Sequence, residues 1–363
     1  MKTTCTITFH ASHNYGSMLQ AYALQKTLNR LGYSNKIINL RTKKQRDIYP
    51  MWRNKPKTFK SLVKKILLFP YKNQVMRKYD LFENFLQNNL ELTEEYSDIT
   101  DLEHSIPQAD VYISGSDQIW NTSTDDFTDL YFLPFINDKK KISYAPSFGP
   151  KNNIPTKYIN HIKNFDILSV REKASADMLT HLLGRSVKTV LDPTLLLNSS
   201  SWLELTDTSL SKTGEDYVFI YSPGAGNEFT SFIKTFSRGS SLPLVSSNVF
   251  NIRKLYFNNV KYQLDSGPVE FLNLIKNARF VIAESFHAVV FSILFKKPFA
   301  AFNGLKDNRM NNILTMLDLK QTAIDENSKI NIKSFDNIDF DNAISKLESF
   351  KNYSIDFLKE AVG

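Results

Sequence analysis

His287 is the residue of this sequence whose neighbours most strongly suggest a catalytic or anion-binding role. It lies in the polar segment Glu284–His287, after the apolar run Phe280–Ala283 and before the continuously apolar run Val289–Phe295. These runs predict a buried parallel strand and a buried helix. A polar loop between such elements is where α/β proteins bind anions, because free backbone N–H groups and the helix dipole point there. An imidazole in that loop can hydrogen-bond a phosphate or carboxylate, or take a proton from a hydroxyl; a helix-capping or packing role is the alternative.

Arg171 is the second residue with a suggestive position. It ends the predicted strand Ile167–Arg171 and precedes a helix predicted over about Lys173–Leu183. A guanidinium at a strand end can make a two-pronged contact with a carboxylate or phosphate. A surface salt bridge with Glu172 is the alternative.

Two further loops carry clustered polar side chains. The loop after a predicted first strand, Thr3–Phe9, precedes a helix predicted from about Ser17 to Leu31. Ser17 is a predicted N-cap, and Gly16 would allow a ligand to approach the backbone. The loop lacks both the three-glycine spacing of a dinucleotide site and the lysine of a P-loop. Its polar residues are His10, His13, Asn14, Gly16 and Ser17.

The second loop follows the predicted strand Asp110–Ser114. It contains Ser116, Asp117 and Gln118 beside a flexible glycine. Side chains of this kind suit sugar hydroxyls, although a tight turn in which Asp117 caps the next helix is the alternative.

The same strand–loop–helix pattern recurs along the whole chain. This repetition predicts an α/β protein with parallel sheets covered by helices on both faces. A chain of 363 residues is long enough for two domains. We place them at 1–197 and 198–363, because segment 198–216 is rich in Ser and Thr. The helical pattern of 340–360 predicts a last helix that packs back on the first domain.

The composition is that of a soluble globular protein. No segment reaches the roughly eighteen uninterrupted apolar residues of a membrane span, and the start of the sequence lacks the features of a secretory signal. The single cysteine, Cys5, cannot form an internal disulfide. These features predict a cytoplasmic protein, and no metal-ligand spacing is evident.

The basic charge is concentrated in one segment. Residues 36–78 contain fourteen Lys or Arg and one acid, which leaves 31 basic and 36 acidic residues elsewhere. We interpret about 41–78 as an insertion in the first domain. Within it, Pro56–Phe69 predicts a helix with an apolar stripe flanked by Lys57, Lys60, Lys64 and Lys65. Such a helix can lie on an anionic membrane surface, here the inner face of the plasma membrane, or pack on its own domain. Nucleic acid is a weaker option, since no recognition motif accompanies the charge.

Four ordered motifs together resemble the polysaccharide pyruvyl transferase family. They are NYGSMLQAYAL from Asn14, ISGSDQIWN from Ile113, SVREKASADML with LDPTLLL from Ser169, and GPVEFLNLIKNARFVIAESFHAVVFSILFKKPF from Gly267. The resemblance implies two Rossmann-like domains facing a cleft, a GT-B-like fold. It also implies transfer of pyruvate from phosphoenolpyruvate to a sugar as a ketal, with phosphoenolpyruvate as donor substrate and no cofactor.

The resemblance also implies roles for individual residues. His287 matches the catalytic histidine, and Arg171 matches the residue that binds phosphoenolpyruvate. Glu284 stands where a smaller hydroxyl residue is usual, and Ala288 where glycine is frequent; an unpaired Glu284 carboxylate would repel an anionic donor. We hypothesise that His10 or His13 is the second acid or base. The predicted substrate-binding residues are Ser285, Asn14, Gly16, Ser17, Ser116, Asp117 and Gln118.

Three functional readings follow. A pyruvyl transferase acting on a sugar or lipid-linked saccharide, a precursor of a surface polysaccharide, accounts for the motifs and the basic helix together. A GT-B glycosyltransferase that uses a nucleotide sugar is the main alternative, because fold alone does not determine chemistry. The third is an inactive saccharide-binding protein of the same pathway.

Overall fold

The computed structural model describes residues 1–49, 52, 59–149, 154–206, 216–224, 226–249 and 260–363, apart from the side chains of Ile48, Lys60 and Lys64. The chain forms two compact units. Unit 1 comprises residues 1–49, 84–197 and 347–363, and unit 2 comprises residues 50–83 and 198–346.

Unit 1 is built around a five-stranded parallel sheet. Its strands are β1 (Thr3–Ile7), β2 (Ser34–Leu40), β3 (Leu92–Tyr96), β4 (Val111–Ser114) and β5 (Lys140–Ser143), in the spatial order β3-β2-β1-β4-β5. A short parallel pair, β6 (Ser169–Val170) and β7 (Lys188–Thr189), follows. The helices are α1 (Tyr15–Arg30), α2 (Lys43–Ile48), α5 (Ile99–His104), α6 (Ile159–Lys163) and α7 (Lys173–Leu183).

Unit 2 is built around a six-stranded parallel sheet. Its strands are β8 (Val218–Tyr221), β9 (Leu244–Ser246), β10 (Val260–Tyr262), β11 (Phe280–Ala283), β12 (Phe299–Phe302) and β13 (Ala323–Ile324), in the order β10-β9-β8-β11-β12-β13. The helices are α3 (Phe59–Leu67), α8 (Ser199–Leu203), α9 (Asn227–Gly239), α10 (Pro268–Asn277), α11 (Phe286–Leu294) and α12 (Asn308–Met316). Two helices, α4 (Lys72–Asn89) and α13 (Phe340–Val362), each have residues in both units.

Both sheets have the strand order of a Rossmann fold. Counted from the first strand of each unit, the order is 3-2-1-4-5 in unit 1 and 3-2-1-4-5-6 in unit 2. The strands alternate with helices, and the central strands β8, β11 and β12 of unit 2 are almost wholly apolar and buried, as parallel strands covered on both faces must be. The predicted α/β class with parallel sheets is therefore confirmed.

The two sheets place a topological switch point in each unit. At this point the strand order reverses, and the loops on either side diverge to leave a crevice. In unit 1 it lies between β1 and β4, and in unit 2 between β8 and β11. Three of these four strands, β1, β4 and β11, precede polar loops that the sequence singles out, whereas Arg171 follows β6.

The observed units differ from the sequence-based domain division in the basic segment. We predicted an insertion in the first domain, but residues 50–83 group with unit 2. Leu68 is buried in the apolar core of unit 2, and the Gln74 side chain accepts a hydrogen bond from Leu264 N at 3.2 Å. Residues 347–363 of α13 belong to unit 1, where Leu191 N donates to Ser354 Oγ at 3.0 Å.

Candidate functional site

His287 lies at the switch point of unit 2. Strand β11 ends at Ala283, Ser285 is the N-cap of α11, and His287 is the second residue of that helix. The imidazole is buried, with 7% of its surface exposed, and it packs edge-on against Phe286. The first turn of a helix has backbone N–H groups without intrahelical partners, so an anion placed beside His287 meets donors from the backbone as well as the ring.

The Glu284 side chain is held in place by residues that follow the neighbouring strands β8 and β12. Its Oε2 accepts a hydrogen bond from Ser222 Oγ at 2.6 Å, across the β8–β11 switch point, and its Oε1 lies 3.5 Å from Asn303 Nδ2. The Glu284 N–H donates to Tyr221 O at 2.9 Å. Both carboxylate oxygens therefore face neutral donors, which hold the side chain in place but leave its negative charge.

Lys78 supplies a cation at the neighbouring strand end of unit 2. Its Nζ donates to Ser247 O at 3.0 Å, directly after β9. Desolvation lowers the pKa of this lysine to about 7. Its charge is therefore sensitive to a neighbouring anion, whose binding would favour the protonated form. The sequence did not single out Lys78, because it lies within a long run of basic residues.

In unit 1, hydrogen bonds at the switch point connect the two loops that carry predicted site residues. Ser17 Oγ donates to Asp117 Oδ2 at 2.6 Å, although the residues are 100 positions apart. The buried Gln20 side chain links the loops again, since its Nε2 donates to Thr8 Oγ1 at 2.8 Å and its Oε1 accepts from Ser116 N at 3.2 Å. Ser116 Oγ donates to Ala145 O at 2.7 Å. The predicted residues Ser17, Ser116 and Asp117 thus belong to one hydrogen-bonded network.

Four predicted residues make local hydrogen bonds: Asn14, Gly16 and Ser17 of the first loop, and Gln118 of the second. Asn14 is the N-cap of α1: its Oδ1 accepts hydrogen bonds from Gly16 N and Ser17 N at 2.9 and 3.4 Å. The prediction that Ser17 is the N-cap is therefore wrong, because the helix begins two residues earlier, at Tyr15. Gln118 is partly buried and accepts a hydrogen bond from Asn121 Nδ2 at 2.9 Å.

The two N-terminal histidines have different environments. His10 is 1% exposed, with Nδ1 3.2 Å from Thr8 O and Nε2 3.0 Å from Asn39 Oδ1. Both ring nitrogens thus face protein oxygen atoms. His13 is only half-buried and stacks on Tyr49 with ring centroids 4.9 Å apart. Of the two, His13 is the more exposed to solvent.

Tyr49 and Asp126 extend the surroundings of His13. Asp126 Oδ2 accepts hydrogen bonds from Ser12 Oγ at 2.6 Å and from Tyr49 Oη. Burial and the charge of Asp126 raise the pKa of Tyr49 above its ordinary value, so this phenol stays protonated and acts as a donor. Sequence reasoning missed both residues, because they lie 77 positions apart and in no recognisable motif.

Arg171 is buried in an ion-pair cluster. Its guanidinium is 3% exposed; Nε contacts Glu172 Oε1 at 3.0 Å, and Nη1 contacts Asp192 Oδ2 at 2.6 Å. Burial alone would lower the pKa of Arg171, but the charges of Glu172, Asp192 and Asp117 outweigh it and raise that pKa. The predicted pairing with Glu172 exists, but it is buried rather than on the surface.

Asp192 connects this cluster to the LDPT motif. Its Oδ1 accepts hydrogen bonds from Thr194 N at 3.0 Å and Thr194 Oγ1 at 2.6 Å, while Oδ2 binds Arg171. The motifs VRE and LDPT are therefore two parts of one polar cluster. Among the described residues, no group of three or more His, Cys, Asp or Glu side chains is arranged to hold a metal ion.

Known structures share this fold. The UDP-GlcNAc 2-epimerase from Methanocaldococcus jannaschii, solved with UDP-GlcNAc and UDP, matches with a TM-score of 0.53 and 11% identity, over 97% of this chain and 93% of that one. A structure described as UDP-N-acetylglucosamine 2-epimerase matches with a TM-score of 0.54 and 11% identity, over 96% and 90% of the two chains. At this identity the likeness shows the fold, a GT-B-like protein of two Rossmann-like units.

The sequence match is more specific than the fold. The family model for polysaccharide pyruvyl transferase matches residues 14–304, and the chain belongs to that family. The matched range includes Arg171, His287 and the switch point of unit 2. In unit 1 it includes Asn14–Ser17 and β4, but not β1, His10 or His13. No curated protein matches the sequence at a significant level.

The basic helix is present, with its apolar side exposed. Phe59 and Ile66 of α3 are 82% and 63% exposed, and Phe69, just after the helix, is 66% exposed. Leu62, Val63 and Leu67 are exposed as well. Of the four lysines named in the prediction, Lys57 lies outside the described residues, as do the side chains of Lys60 and Lys64. Among the described residues, no helix is long and apolar enough to cross a membrane.

Proposed function

We propose that the protein transfers pyruvate from phosphoenolpyruvate to a sugar of a surface-polysaccharide precursor, forming a ketal and releasing phosphate. The observation that carries the proposal is the position of His287, in the second residue of α11 at the switch point of unit 2, within a chain of the polysaccharide pyruvyl transferase family. This position combines a proton-exchanging side chain with an anion-binding helix terminus.

The reaction needs both functions. The methylene carbon of phosphoenolpyruvate gains a proton and becomes a methyl group, while one sugar hydroxyl forms a bond to the central carbon and loses its proton. A second hydroxyl then bonds to the same carbon, the carbon–oxygen bond to phosphate breaks, and phosphate leaves with the second proton. We assign to His287 the exchange of a proton with the phosphate or with the attacking hydroxyl.

The donor carries about three negative charges near neutral pH, so its binding needs N–H groups and cations. The N–H groups at the start of α11 and the hydroxyl of Ser285 are the proposed hydrogen-bond donors. Arg171 is the donor-binding residue that the resemblance implies. Its Nε and Nη1 already have carboxylate partners in the buried ion pairs with Glu172 and Asp192.

The acceptor is assigned to the loops of unit 1. Asn14, Gly16, Ser17, Ser116, Asp117 and Gln118 present amide, hydroxyl and carboxylate groups near the switch point of that unit. His13 is the proposed second acid or base, since it is more exposed than His10. His10 is retained as the alternative.

The first experiment compares ligands by thermal stability. We would melt the wild-type protein with millimolar phosphoenolpyruvate and, separately, with UDP-GlcNAc. A ligand at a hundred times its dissociation constant adds about 2.7 kcal/mol. A shift with phosphoenolpyruvate supports the proposal; a shift with UDP-GlcNAc alone would favour a nucleotide-sugar enzyme.

The second experiment tests His287. His287→Ala should lower phosphate release from phosphoenolpyruvate and a saccharide acceptor by about 100-fold or more, with an unchanged urea midpoint. His104→Ala is the matched control, because His104 is exposed in unit 1. Near-normal turnover of the His287 variant would reject its role. Saccharide binding without phosphate release by the wild type would favour an inactive binding protein.

We also propose that α3 attaches the protein to an anionic membrane surface. An apolar stripe that packed on its own unit would be buried, whereas Phe59, Ile66 and Phe69 are mostly exposed. The surrounding segment 36–78 carries fourteen basic residues and one acid, so an anionic surface is its natural complement.

This attachment is tested by sedimentation with vesicles of phosphatidylcholine, with and without phosphatidylserine. Wild-type protein should sediment with the anionic vesicles only. Phe59→Ser with Ile66→Ser should abolish this, whereas Leu305→Ser, which alters an exposed leucine elsewhere in unit 2, should not. Unchanged sedimentation after reversing Lys57, Lys60, Lys64 and Lys65 would contradict the electrostatic part.

A further inference from the structure

The carboxylate of Asp126 is hydrogen-bonded to two neighbours of His13. Ser12 directly precedes His13 in the chain, and its Oγ donates to Asp126 Oδ2 at 2.6 Å. Tyr49 Oη donates to the same oxygen. The Tyr49 ring stacks on the His13 ring, with centroids 4.9 Å apart and ring planes 21° apart. Asp126 thus contacts both the chain neighbour of His13 and the ring that covers one of its faces.

These residues come from three separate segments of unit 1. Ser12 and His13 lie in the loop between β1 and α1, Tyr49 is the C-cap of α2, and Asp126 lies between β4 and β5. Surface loops are more mobile than the elements that they connect. Hydrogen bonds that join three segments restrain each of them, so the loop of His13 has fewer available conformations than it would have without Asp126.

The end of α2 that carries Tyr49 is itself held in place. Gln45, about one turn earlier in that helix, is 3% exposed, and its Nε2 donates to Tyr131 Oη at 3.2 Å. Burial and the charge of Asp126 raise the pKa of Tyr49, so the phenol stays protonated and keeps its hydrogen bond to Asp126 near neutral pH. The ring that stacks on His13 therefore has a defined position.

Packing stability does not account for an acid at position 126. Asp126 Oδ1 is buried and has no hydrogen-bond partner among the described residues. A buried carboxylate oxygen without a donor destabilises a fold, because it has lost its hydration and gained no hydrogen bond in exchange. Native structures keep few such groups, and each calls for an explanation in function or strain. The two hydrogen bonds that Oδ2 accepts indicate what this acid does.

We propose that Asp126 is a positioning residue for His13. It holds the imidazole in the orientation in which a ring nitrogen takes the proton of an acceptor hydroxyl, while the hydroxyl oxygen bonds to the central carbon of phosphoenolpyruvate. Asp126 touches neither substrate in this step and keeps its own charge. The inference rests on the proposed function, which assigns acid–base chemistry to His13. Misplacing a reacting group by about 1 Å lowers a rate by about 100-fold, so the loss of an orienting contact is measurable in turnover.

The kinetic test measures phosphate release from phosphoenolpyruvate, with the acceptor that the wild type converts among methyl glucoside, methyl galactoside and N-acetylglucosamine. Asp126→Ala should lower kcat by about 10- to 100-fold and leave KM for phosphoenolpyruvate unchanged. Asp126→Asn should recover most of that loss, because its amide oxygen accepts from both Ser12 and Tyr49, and its Nδ2 replaces an oxygen that has no partner among the described residues. Equal kcat values for these two variants would indicate a role of the charge and overturn the inference. The control is Asp125→Ala, which should turn over as the wild type does, because the Asp125 carboxylate is exposed and lies 3.9 Å from Lys44 Nζ.

NMR of the protein without ligand tests the contact directly. Histidine is isotope-labelled, and His13→Gln assigns the ring signals of His13. Tyr49→Leu removes the stacked ring, so the ring protons of His13 should move downfield. Asp126→Ala should move them in the same direction, whereas Asp126→Asn and Asp125→Ala should leave them near their wild-type positions. Tyr49→Phe keeps the ring but loses its hydrogen bond to Asp126, so it should give part of the same shift.

Unmoved His13 signals in both Asp126→Ala and Tyr49→Phe would overturn the inference. Tyr49→Phe also provides the comparison if Asp126→Ala does not fold. Absence of phosphate release by the wild type would reject the proposed function, and the NMR comparison would still decide whether Asp126 holds His13.

Discussion

Replacing Arg171 by alanine should destabilise unit 1 strongly. The guanidinium is 3% exposed and pairs with Glu172 at 3.0 Å and with Asp192 at 2.6 Å; both carboxylates are also buried. Removing the arginine leaves two negative charges in a site from which water is excluded. Breaking a buried ion pair by deleting one partner typically costs about 3–5 kcal/mol, because the remaining charge is uncompensated.

The magnitude for this site should lie in that range. Asp192 keeps two hydrogen bonds from Thr194, which continue to stabilise its charge. Glu172 loses its described partner, since its Oε2 has no hydrogen-bond partner among the described residues. We therefore expect Arg171→Ala to cost about 3–5 kcal/mol and Arg171→Lys less, because lysine keeps the charge but cannot contact both acids in the same geometry.

The loss of unfolding free energy would be measured by urea unfolding, with tryptophan fluorescence as the signal. The chain has three tryptophans, and Trp120 is fully buried in unit 1. A background with Trp52→Phe and Trp202→Phe makes Trp120 the sole reporter. Lys173→Ala is the matched control: its pair with Asp177 is exposed, so the loss should be at most about 1 kcal/mol.

A loss of unfolding free energy below about 1 kcal/mol for Arg171→Ala would refute the reasoning, because deleting one partner of a buried ion pair costs several times that amount. The result also bears on function. If Arg171→Ala unfolds at the temperature of an assay, its failure to bind phosphoenolpyruvate says nothing about direct contact. Arg171→Lys, if it is folded, is then the variant in which donor binding should be measured.

Two other predictions concern a glycine and a lysine. Gly115→Ala should destabilise unit 1 by about 3 kcal/mol or more in urea unfolding, because a Cβ there would lie 1.9 Å from Tyr144 O, and the residue has a φ of +145°. The control is Gly184→Ala, where φ is +64° and the space around the added Cβ is open, so the loss of stability should be about 1 kcal/mol. Equal losses in the two variants would contradict this prediction. The lowered pKa of Lys78, about 7, means that the unfolded chain binds more protons above pH 7, so stability should rise from pH 7 to 9, by at most about 3 kcal/mol. Lys78→Met should remove that part of the rise, and identical pH profiles for the two proteins would contradict the assignment.

Local pattern was enough to predict the elements around His287. An apolar β-branched run, a polar loop and a second apolar run have the lengths of a buried strand and helix, and the structure has β11 and α11 at these places. The same logic predicted the α/β class, because alternating strands and helices can bury their apolar faces in few ways. Ser17 as N-cap was wrong, because Asn14 can also cap α1 and the pattern does not choose between them.

Contacts between distant residues were not predictable in this way. The Ser17–Asp117 hydrogen bond spans 100 residues and exists because β1 and β4 are neighbours in the sheet. The pairing of Glu284 with Ser222 similarly depends on β8 lying beside β11. Strand order is not written in any single segment, so a polar residue's partner remains open until the sheet is known.

The sequence by itself determined the class of fold, the family, and which loops carry polar side chains, because these depend on the spacing and type of neighbouring residues. Only the tertiary structure decided that Arg171 is buried between two acids, that the apolar side of α3 is exposed, and that residues 50–83 join unit 2. Burial and charge pairing depend on what packs against a residue from elsewhere in the chain. That information arises only when the chain is folded.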